Sequence, residues 1–319
     1  MDVAGHQARR TALITGATSG LGAECAAKLL RSGWRVILPC RDPQRGELVR
    51  EELKARTGSD DVDVVPLDVA NLDSVRSFVR QASALGRIDA LLCNAGVQEL
   101  ALSHTALGLE TTFATNHLGH FLLARGLLPT LAPHASVVFV SSDTHDPKNH
   151  TGLPEPVIDD VDDLAYGRTF QDEPAAIAGR RRYTTSKLCN VLCAYELERR
   201  LRAEGSSRSL RVYAFDPGLM PGTGLARGYG PVLRFAWKYV LPVVTLVHPN
   251  ANTVCKSASR FAALVDEATA PPTGTYITRG RVARSSELSY DAALAARVWD
   301  ASARLSELAA GLTKDEVRG

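Results

Sequence analysis

Thr11-Ala12-Leu13-Ile14-Thr15 runs straight into Gly16-Ala17-Thr18-Ser19-Gly20-Leu21-Gly22, and this junction decides the fold. The first five residues read as a short buried strand, and helical periodicity resumes after the glycines and lasts to about Ser32. Strand, glycine-rich turn and helix are the parts of a phosphate cradle. Glycines let the backbone turn tightly and approach a pyrophosphate, and a helix N-terminus offers free N–H groups and the positive end of its dipole. The residues placed at this cradle are Gly16, Thr18, Ser19, Gly20, Leu21 and Gly22.

The next strand, Arg35-Val36-Ile37-Leu38-Pro39-Cys40, ends at Arg41. In a dinucleotide-binding fold this position faces the adenosine ribose, where a carboxylate would take free hydroxyls and a guanidinium a 2′-phosphate. Arg41 therefore points to NADP(H), with Asp42 directly behind it as the competing signal. Arg45, one turn further on, either assists or is a solvated surface side chain.

The alternation continues with a helix over 43–56, a strand over 62–67 ending at Asp68 and Val69, and a helix over 72–84. The strand 90–93 then runs into Asn94-Ala95-Gly96. A long helical region over 107–131 contains Asn116, and the strand 137–140 ends at Ser141-Ser142. Further on, the strand 210–215 ends in Asp216-Pro217-Gly218, a helical run covers 250–265, the last strand is 275–278, and a helix over 290–309 closes the chain. Nearly all-apolar strands alternating with helices predict a parallel sheet covered on both faces. The fold class is α/β, a doubly wound Rossmann-type sheet in one domain spanning 1–319. Ligands in such sheets sit at the C-terminal strand ends, where Gly16, Arg41, Asp68, Asn94 and Ser142 all fall.

Tyr183-Thr184-Thr185-Ser186-Lys187 opens a run whose apolar residues return every three or four positions, so it reads as a helix. The spacing puts the Tyr183 phenol and the Lys187 ammonium on one face. A phenol titrates near ~10 in water, and a neighbouring cation in a poorly solvated pocket favours its phenolate, which suits a proton donor or acceptor.

The 319 residues are 45% hydrophobic and 23% charged with a net charge of +2, which describes a globular protein with ample core and no nucleic-acid-binding surface. Six cysteines lie in apolar runs and read as reduced thiols of a cytoplasmic protein. No metal-ligand spacing is found. No run reaches the ~18 apolar residues of a membrane span. The nearest, 231–247, is broken by Arg234, Lys238 and Pro242. It reads as a helix pair partly buried in the domain, as a lid over an apolar pocket, or as a contact with a membrane surface. A proline-rich irregular stretch over about 143–182 reads as a substrate-side insertion, and 219–249 as the lid region.

The motifs, in this order, resemble the short-chain dehydrogenase/reductase family over nearly the whole chain, from Thr11 to about Leu312. Thr15 to Gly22 match its TGxxxGxG, Asn94 to Gly96 its NAG, Asn116 its helix asparagine, Ser142 its serine, Tyr183 and Lys187 its YxxxK, and Pro217-Gly218 its PG turn. The resemblance implies hydride transfer between nicotinamide and a carbonyl or alcohol, with Tyr183 as acid/base and Ser142 as donor to the oxyanion. It implies Lys187 lowering the Tyr183 pKa and holding the nicotinamide ribose, Asn116 binding a water that connects Lys187 to solvent, and Asp68 at the adenine. Relatives commonly pair as homo-oligomers through the helix carrying Tyr183.

Within the family the chain is similar to the retinol-dehydrogenase-like and light-dependent protochlorophyllide-reductase-like branches. Where the second branch carries a cysteine after the PG turn, this chain has Leu219. Thr223 stands one place beyond the family threonine that contacts the carboxamide. The leading expectation is an NADPH-dependent ketoreductase, or the reverse dehydrogenase, acting on a bulky apolar substrate. Reduction of a carbon–carbon double bond is second, and a non-catalytic NADPH-binding protein third.

Overall fold

A computed structural model of the protein describes residues 9–205, 209–220 and 253–308. Thr223 and the 231–247 segment lie outside the described residues. The strands are β1 (Thr11–Ile14), β2 (Arg35–Cys40), β3 (Val62–Pro66), β4 (Ile88–Cys93), β5 (Leu131–Val140), β6 (Arg211–Asp216), β7 (Thr275–Thr278) and β8 (Arg281–Ala283). They form one sheet in the order β3-β2-β1-β4-β5-β6-β7-β8, parallel through β7. Its switch point lies between β1 and β4, where a doubly wound sheet opens a crevice for a ligand.

The strands are apolar on both sides because both faces are covered. Leu13, Ile37, Leu91, Val137 and Phe139 face one cluster, completed by helices α3 (Leu72–Gln81), α5 (Gly119–Leu127) and α7 (Ala175–Ala203). Ala12, Ile14, Val36, Leu92 and Phe215 face the other, completed by α1 (Gly20–Arg31), α2 (Pro43–Thr57) and α8 (Val254–Ala263). Burying each large side chain contributes about 1.5–3 kcal/mol. Local signals set the helix ends: Asn71 accepts from Asp73 and Ser74 N–H to start α3, and Gly58 (φ 72°) ends α2.

Three elements depart from the sequence reading. β8 pairs antiparallel with β7, so the sheet is not wholly parallel; its three residues are too short and too exposed to register as a strand. The stretch before Tyr183 is not irregular throughout, for it holds α6 (Val161–Ala165), and α7 already begins at Ala175. The helical region around Asn116 starts later than expected, with α4 (Thr111–Phe113), and passes through a π-helical turn, Ala114–Leu118, before α5. Of the six thiols, Cys255 is exposed, on the outer side of α8 beside Lys28, and the other five are buried.

The last helix, α9 (Ala292–Leu308), lies along α7 and α5. Trp299 meets Phe121 edge-on at 4.8 Å, and the Arg200 guanidinium stands 5.0 Å over the Trp299 ring. Among the described residues no helix is long and apolar enough to cross a membrane.

Candidate active site

The glycine turn closes against the end of β4. Gly16 has φ 67°, and a Cβ there would come within 2.8 Å of Ala95 Cα; one on Gly22 would meet Asn94 Nδ2 at 2.7 Å. The turn can be made only without side chains at these positions. Asn94 Nδ2 donates to Thr15 O at 2.8 Å, and Thr15 Oγ1 accepts the N–H groups of Asn94 and Ala95 at 2.8 and 3.0 Å. α1 begins at Gly20 with no side-chain cap from Ser19 and no acidic residue in its first turn, which leaves Leu21 and Gly22 in a helix start suited to an anion. The cradle thus fits a dinucleotide pyrophosphate.

Arg41 is exposed at the end of β2. Asp42 is turned away from that space, because its carboxylate caps α2 by accepting Arg45 N–H at 3.1 Å. The Arg45 guanidinium reaches back to Thr18 O at 3.5 Å and borders a cavity of about 340 Å³ beside Ser19 and Gly20. Asp68 Oδ1 accepts Ala70 N–H at 3.0 Å. Val69 is buried against the start of α5, where a Cβ on Gly119 would overlap the Val69 carbonyl oxygen.

At the ends of β5 and β6 the remaining residues converge. Tyr183 is 6% exposed and Lys187 4%. Lys187 Nζ stands 5.6 Å from the Tyr183 ring centroid and donates to Val140 O at 3.0 Å. A Cβ on Gly96 would lie 3.4 Å from Asn116 Oδ1 and 3.6 Å from Lys187 Nζ, so Gly96, Asn116 and Lys187 share one small volume. Asn116 holds the Val97 peptide by both ends, at 2.8 and 2.9 Å, and donates to Ser186 Oγ at 3.0 Å. Ser141 and Ser142 are told apart by burial and partner. Ser141 Oγ is buried and donates to Lys187 O at 2.8 Å, whereas Ser142 is only half-buried at the strand end. Gly218 (φ 76°) donates its N–H to Asp216 at 2.8 Å, and Pro217 O accepts from Ser257 at 2.7 Å.

Burial pulls the Lys187 ammonium down to about 8, with Asp216 acting in the opposite sense. A lysine whose folded pKa lies below its unfolded one destabilises the fold below the folded value, and stability rises with pH between about 8 and ~10.4. A Lys187→Met variant is therefore expected to melt higher than the parent at pH 7, by at most about 3 kcal/mol, and to lose that pH slope. Val140 O would keep its bond from Asn190 Nδ2 at 3.0 Å. Thermal melts of the cofactor-free protein across this range check it, and a lower Tm at pH 7 would refute it.

A buried polar layer behind these residues carries no sequence motif. The Asn116 carbonyl, exposed by the π-helical turn, accepts from Asn190 Nδ2 at 3.0 Å and His120 Nδ1 at 3.1 Å. With Nδ1 donating, His120 Nε2 is the acceptor for the Thr15 hydroxyl at 2.8 Å. Burial takes His120 down to about 4, which keeps it neutral and this polarity fixed. The chain of bonds ties the glycine turn, the Asn94 turn and the Asn116 helix together. Both visible acceptor directions of the Asn116 carbonyl are in use, so a relay water would have to share them. His117, also neutral, joins Asn190 Oδ1 at 3.2 Å to Ser302 on α9 at 2.9 Å. Next to Tyr183, Arg182 is buried against Glu110, with Nε 3.6 Å from Oε1.

Several known proteins are similar to this chain. The family profile described as short chain dehydrogenase matches residues 10–151. The chain is 34% identical over 329 residues to protochlorophyllide reductase B, chloroplastic, of Hordeum vulgare, covering 96% of this chain and 81% of that one. It is 33% identical over 299 residues to retinol dehydrogenase 11 of Mus musculus, covering 93% and 86%. Among solved structures, an uncharacterized protein from Mycobacterium Paratuberculosis superposes with a TM-score of 0.68 at 31% identity, covering 93% of each chain. The chain belongs to the short-chain dehydrogenase family, with protochlorophyllide reductases and retinol dehydrogenases among its relatives. It is thus an oxidoreductase of a family that works with a nicotinamide cofactor.

Proposed function

We propose that the protein is an NADPH-dependent reductase of ketones or aldehydes on bulky apolar molecules, or the reverse dehydrogenase. The observation that carries this reading is the buried Lys187 ammonium 5.6 Å from the Tyr183 ring, at the strand ends where the cradle opens. When bound, the nicotinamide supplies or accepts the hydride. Tyr183 gives its phenolic proton to the carbonyl oxygen as charge builds there, or takes it from an alcohol in reverse. Lys187 favours the phenolate by its charge and, below about 8, keeps that charge. Ser142 Oγ donates to the developing oxyanion. Asn116 orients Val97 and Ser186 around Lys187 by its side-chain bonds.

The test is NADPH consumption by purified protein with a panel of decanal, retinaldehyde, acetophenone and, under light, protochlorophyllide. Turnover of a carbonyl compound supports the reading. Consumption only with protochlorophyllide would move the reaction to a carbon–carbon double bond, the second expectation from the sequence. Leu219, where that branch carries cysteine, weighs against this second reading.

Arg41 and Arg45 favour the 2′-phosphorylated cofactor, since Asp42 is committed to α2. Each charged hydrogen bond to a phosphate contributes about 1.5–3 kcal/mol. The double variant Arg41→Asp, Arg45→Ala should raise KM for NADPH by about 10- to 100-fold and leave KM for NADH equal or lower. Equal rises for both cofactors would refute the assignment. Any homo-oligomer is further proposed to form through a surface other than the sides of α5 and α7 that α9 already covers. Sedimentation at two concentrations shows whether one forms.

A further inference from the structure

Beside Ser142 stands a carboxyl pair that the chemistry above leaves unused. Asp143 follows Ser142, and Asp216 ends the neighbouring strand β6. The Asp216 carboxylate, 2% exposed, accepts Gly218 N–H at 2.8 Å, the Thr278 hydroxyl at 2.7 Å and the Asp143 backbone N–H. Asp143 has less support. Ser142 Oγ accepts Thr144 N–H at 3.4 Å and turns its own hydrogen to Asp143 Oδ1 at 3.3 Å. The Tyr276 hydroxyl, buried nearby on β7, makes no hydrogen bond.

The direction of the Ser142 hydrogen decides whether this residue can stabilise an oxyanion. An ionised carboxylate only accepts, so it competes with the substrate for that hydrogen; a neutral carboxylic acid also donates. We propose that Asp143 is a positioning residue that sets which way the Ser142 hydroxyl points: as the acid it donates to Ser142 Oγ and frees the serine hydrogen for the substrate oxygen, and as the carboxylate it keeps that hydrogen. The inference rests on Ser142 being the oxyanion donor of the proposed function.

Burial and the neighbouring Asp216 charge raise the Asp143 carboxyl to about 6, within reach of ordinary assay conditions. The groups that face it are Asp216 from β6, Arg279 from the β7–β8 turn, Tyr276 from β7 and His145 from its own turn, with Asp146 beyond Tyr276. Lys187 of α7 faces Asp216. Arg279 is exposed and its charge pulls both carboxyls down, but by less than burial raises them. His145 is fixed as the neutral Nδ1–H form, because Nδ1 donates to Ser142 O at 2.5 Å while Nε2 accepts Ser286 N–H at 3.2 Å. Burial lowers its pKa further.

Two measurements on the full chain test the inference. In the first, kcat for the best-reduced carbonyl compound of the panel is followed from pH 5 to 7.5. The parent should lose roughly tenfold through about pH 6, inside the ~10²–10³ of a whole oxyanion donor. Asp143→Asn, whose amide donates at every pH, should hold the low-pH rate to neutral pH. If Asp143→Asn reproduces the parent's fall, the inference is overturned. A Ser142→Ala variant with full turnover would instead overturn the role of Ser142 itself.

The second measurement needs no substrate. The carboxyl carbon of Asp143, labelled and assigned by its loss in Asp143→Asn, should titrate by NMR near pH 6. Its midpoint should rise in Ser142→Ala, because the serine hydroxyl is the largest of the influences that favour the ionised form. An unchanged midpoint would show that the two side chains do not communicate, and would overturn the inference even without a substrate in hand.

Discussion

A Tyr183→Phe variant is expected to fold, to bind NADPH as the parent does, and to lose kcat by about 10²–10⁴-fold. The ring sits 6% exposed on the face of α7, so phenylalanine fills the same space without leaving a cavity. Lys187 keeps its bond to Val140 O, and the cradle from Gly16 to Gly22 is untouched. What disappears is the one proton that the proposed reaction hands to the carbonyl oxygen. A NADPH fluorescence titration and single-turnover kinetics separate the two effects. A variant with parental kcat would remove Tyr183 from the chemistry, and one that no longer binds NADPH would make its role structural.

The second large effect concerns stability. Glu110 is fully buried; it accepts the N–H groups of Thr112 at 2.9 Å and Phe113 at 2.6 Å, and so starts the helical run that carries Asn116. It is also the stronger of two counter-charges, with Glu173, of the buried Arg182, one residue before Tyr183. Burial raises the Glu110 carboxyl, while those two N–H groups and Arg182 pull it back toward the ionised form. Glu110→Ala removes the cap, about 1 kcal/mol, and strands a buried guanidinium, about 3–5 kcal/mol. The expected loss of about 4–6 kcal/mol is comparable to the whole stability of many domains. In the double variant Glu110→Ala, Arg182→Leu the stranded charge is gone, and urea midpoints should recover most of the loss. No recovery would mean that the cap, and not the ion pair, is what matters.

β2 and β7 were legible to the residue because each is an apolar run between polar or glycine boundaries. The start of α7 was not. Its inward face there is made of Ala178, Gly179 and the ion-paired Arg182, which show no apolar periodicity, so this turn fell within the irregular stretch over about 143–182. The π-helical turn was equally hidden, since the residues that hold it, His120 and Asn190, act through carbonyls that a sequence does not display. The site residues could be found one by one, because each ends a strand or faces one side of a helix. Their support could not: a threonine, a histidine or an aspartate among apolar neighbours says little until its partner is known, and Thr15, His120, Asp143 and Asp216 have partners far along the chain or on another element. Thr223 and the 231–247 segment are outside the described residues, so the expectations about carboxamide contact and a lid stand where the sequence left them.

The contact between Gly119 and Val69 has a consequence for redesign. There is no room for even one carbon between the loop expected to flank the adenine and the helix that follows Asn116. Reshaping that loop to admit another nucleotide would therefore press on the helix that follows Asn116, and under the proposed function cofactor choice and turnover would change together. Arg41 and Arg45 take no part in this contact and stand exposed, at the end of β2 and in the first turn of α2. A change of cofactor that spares catalysis has to be written there.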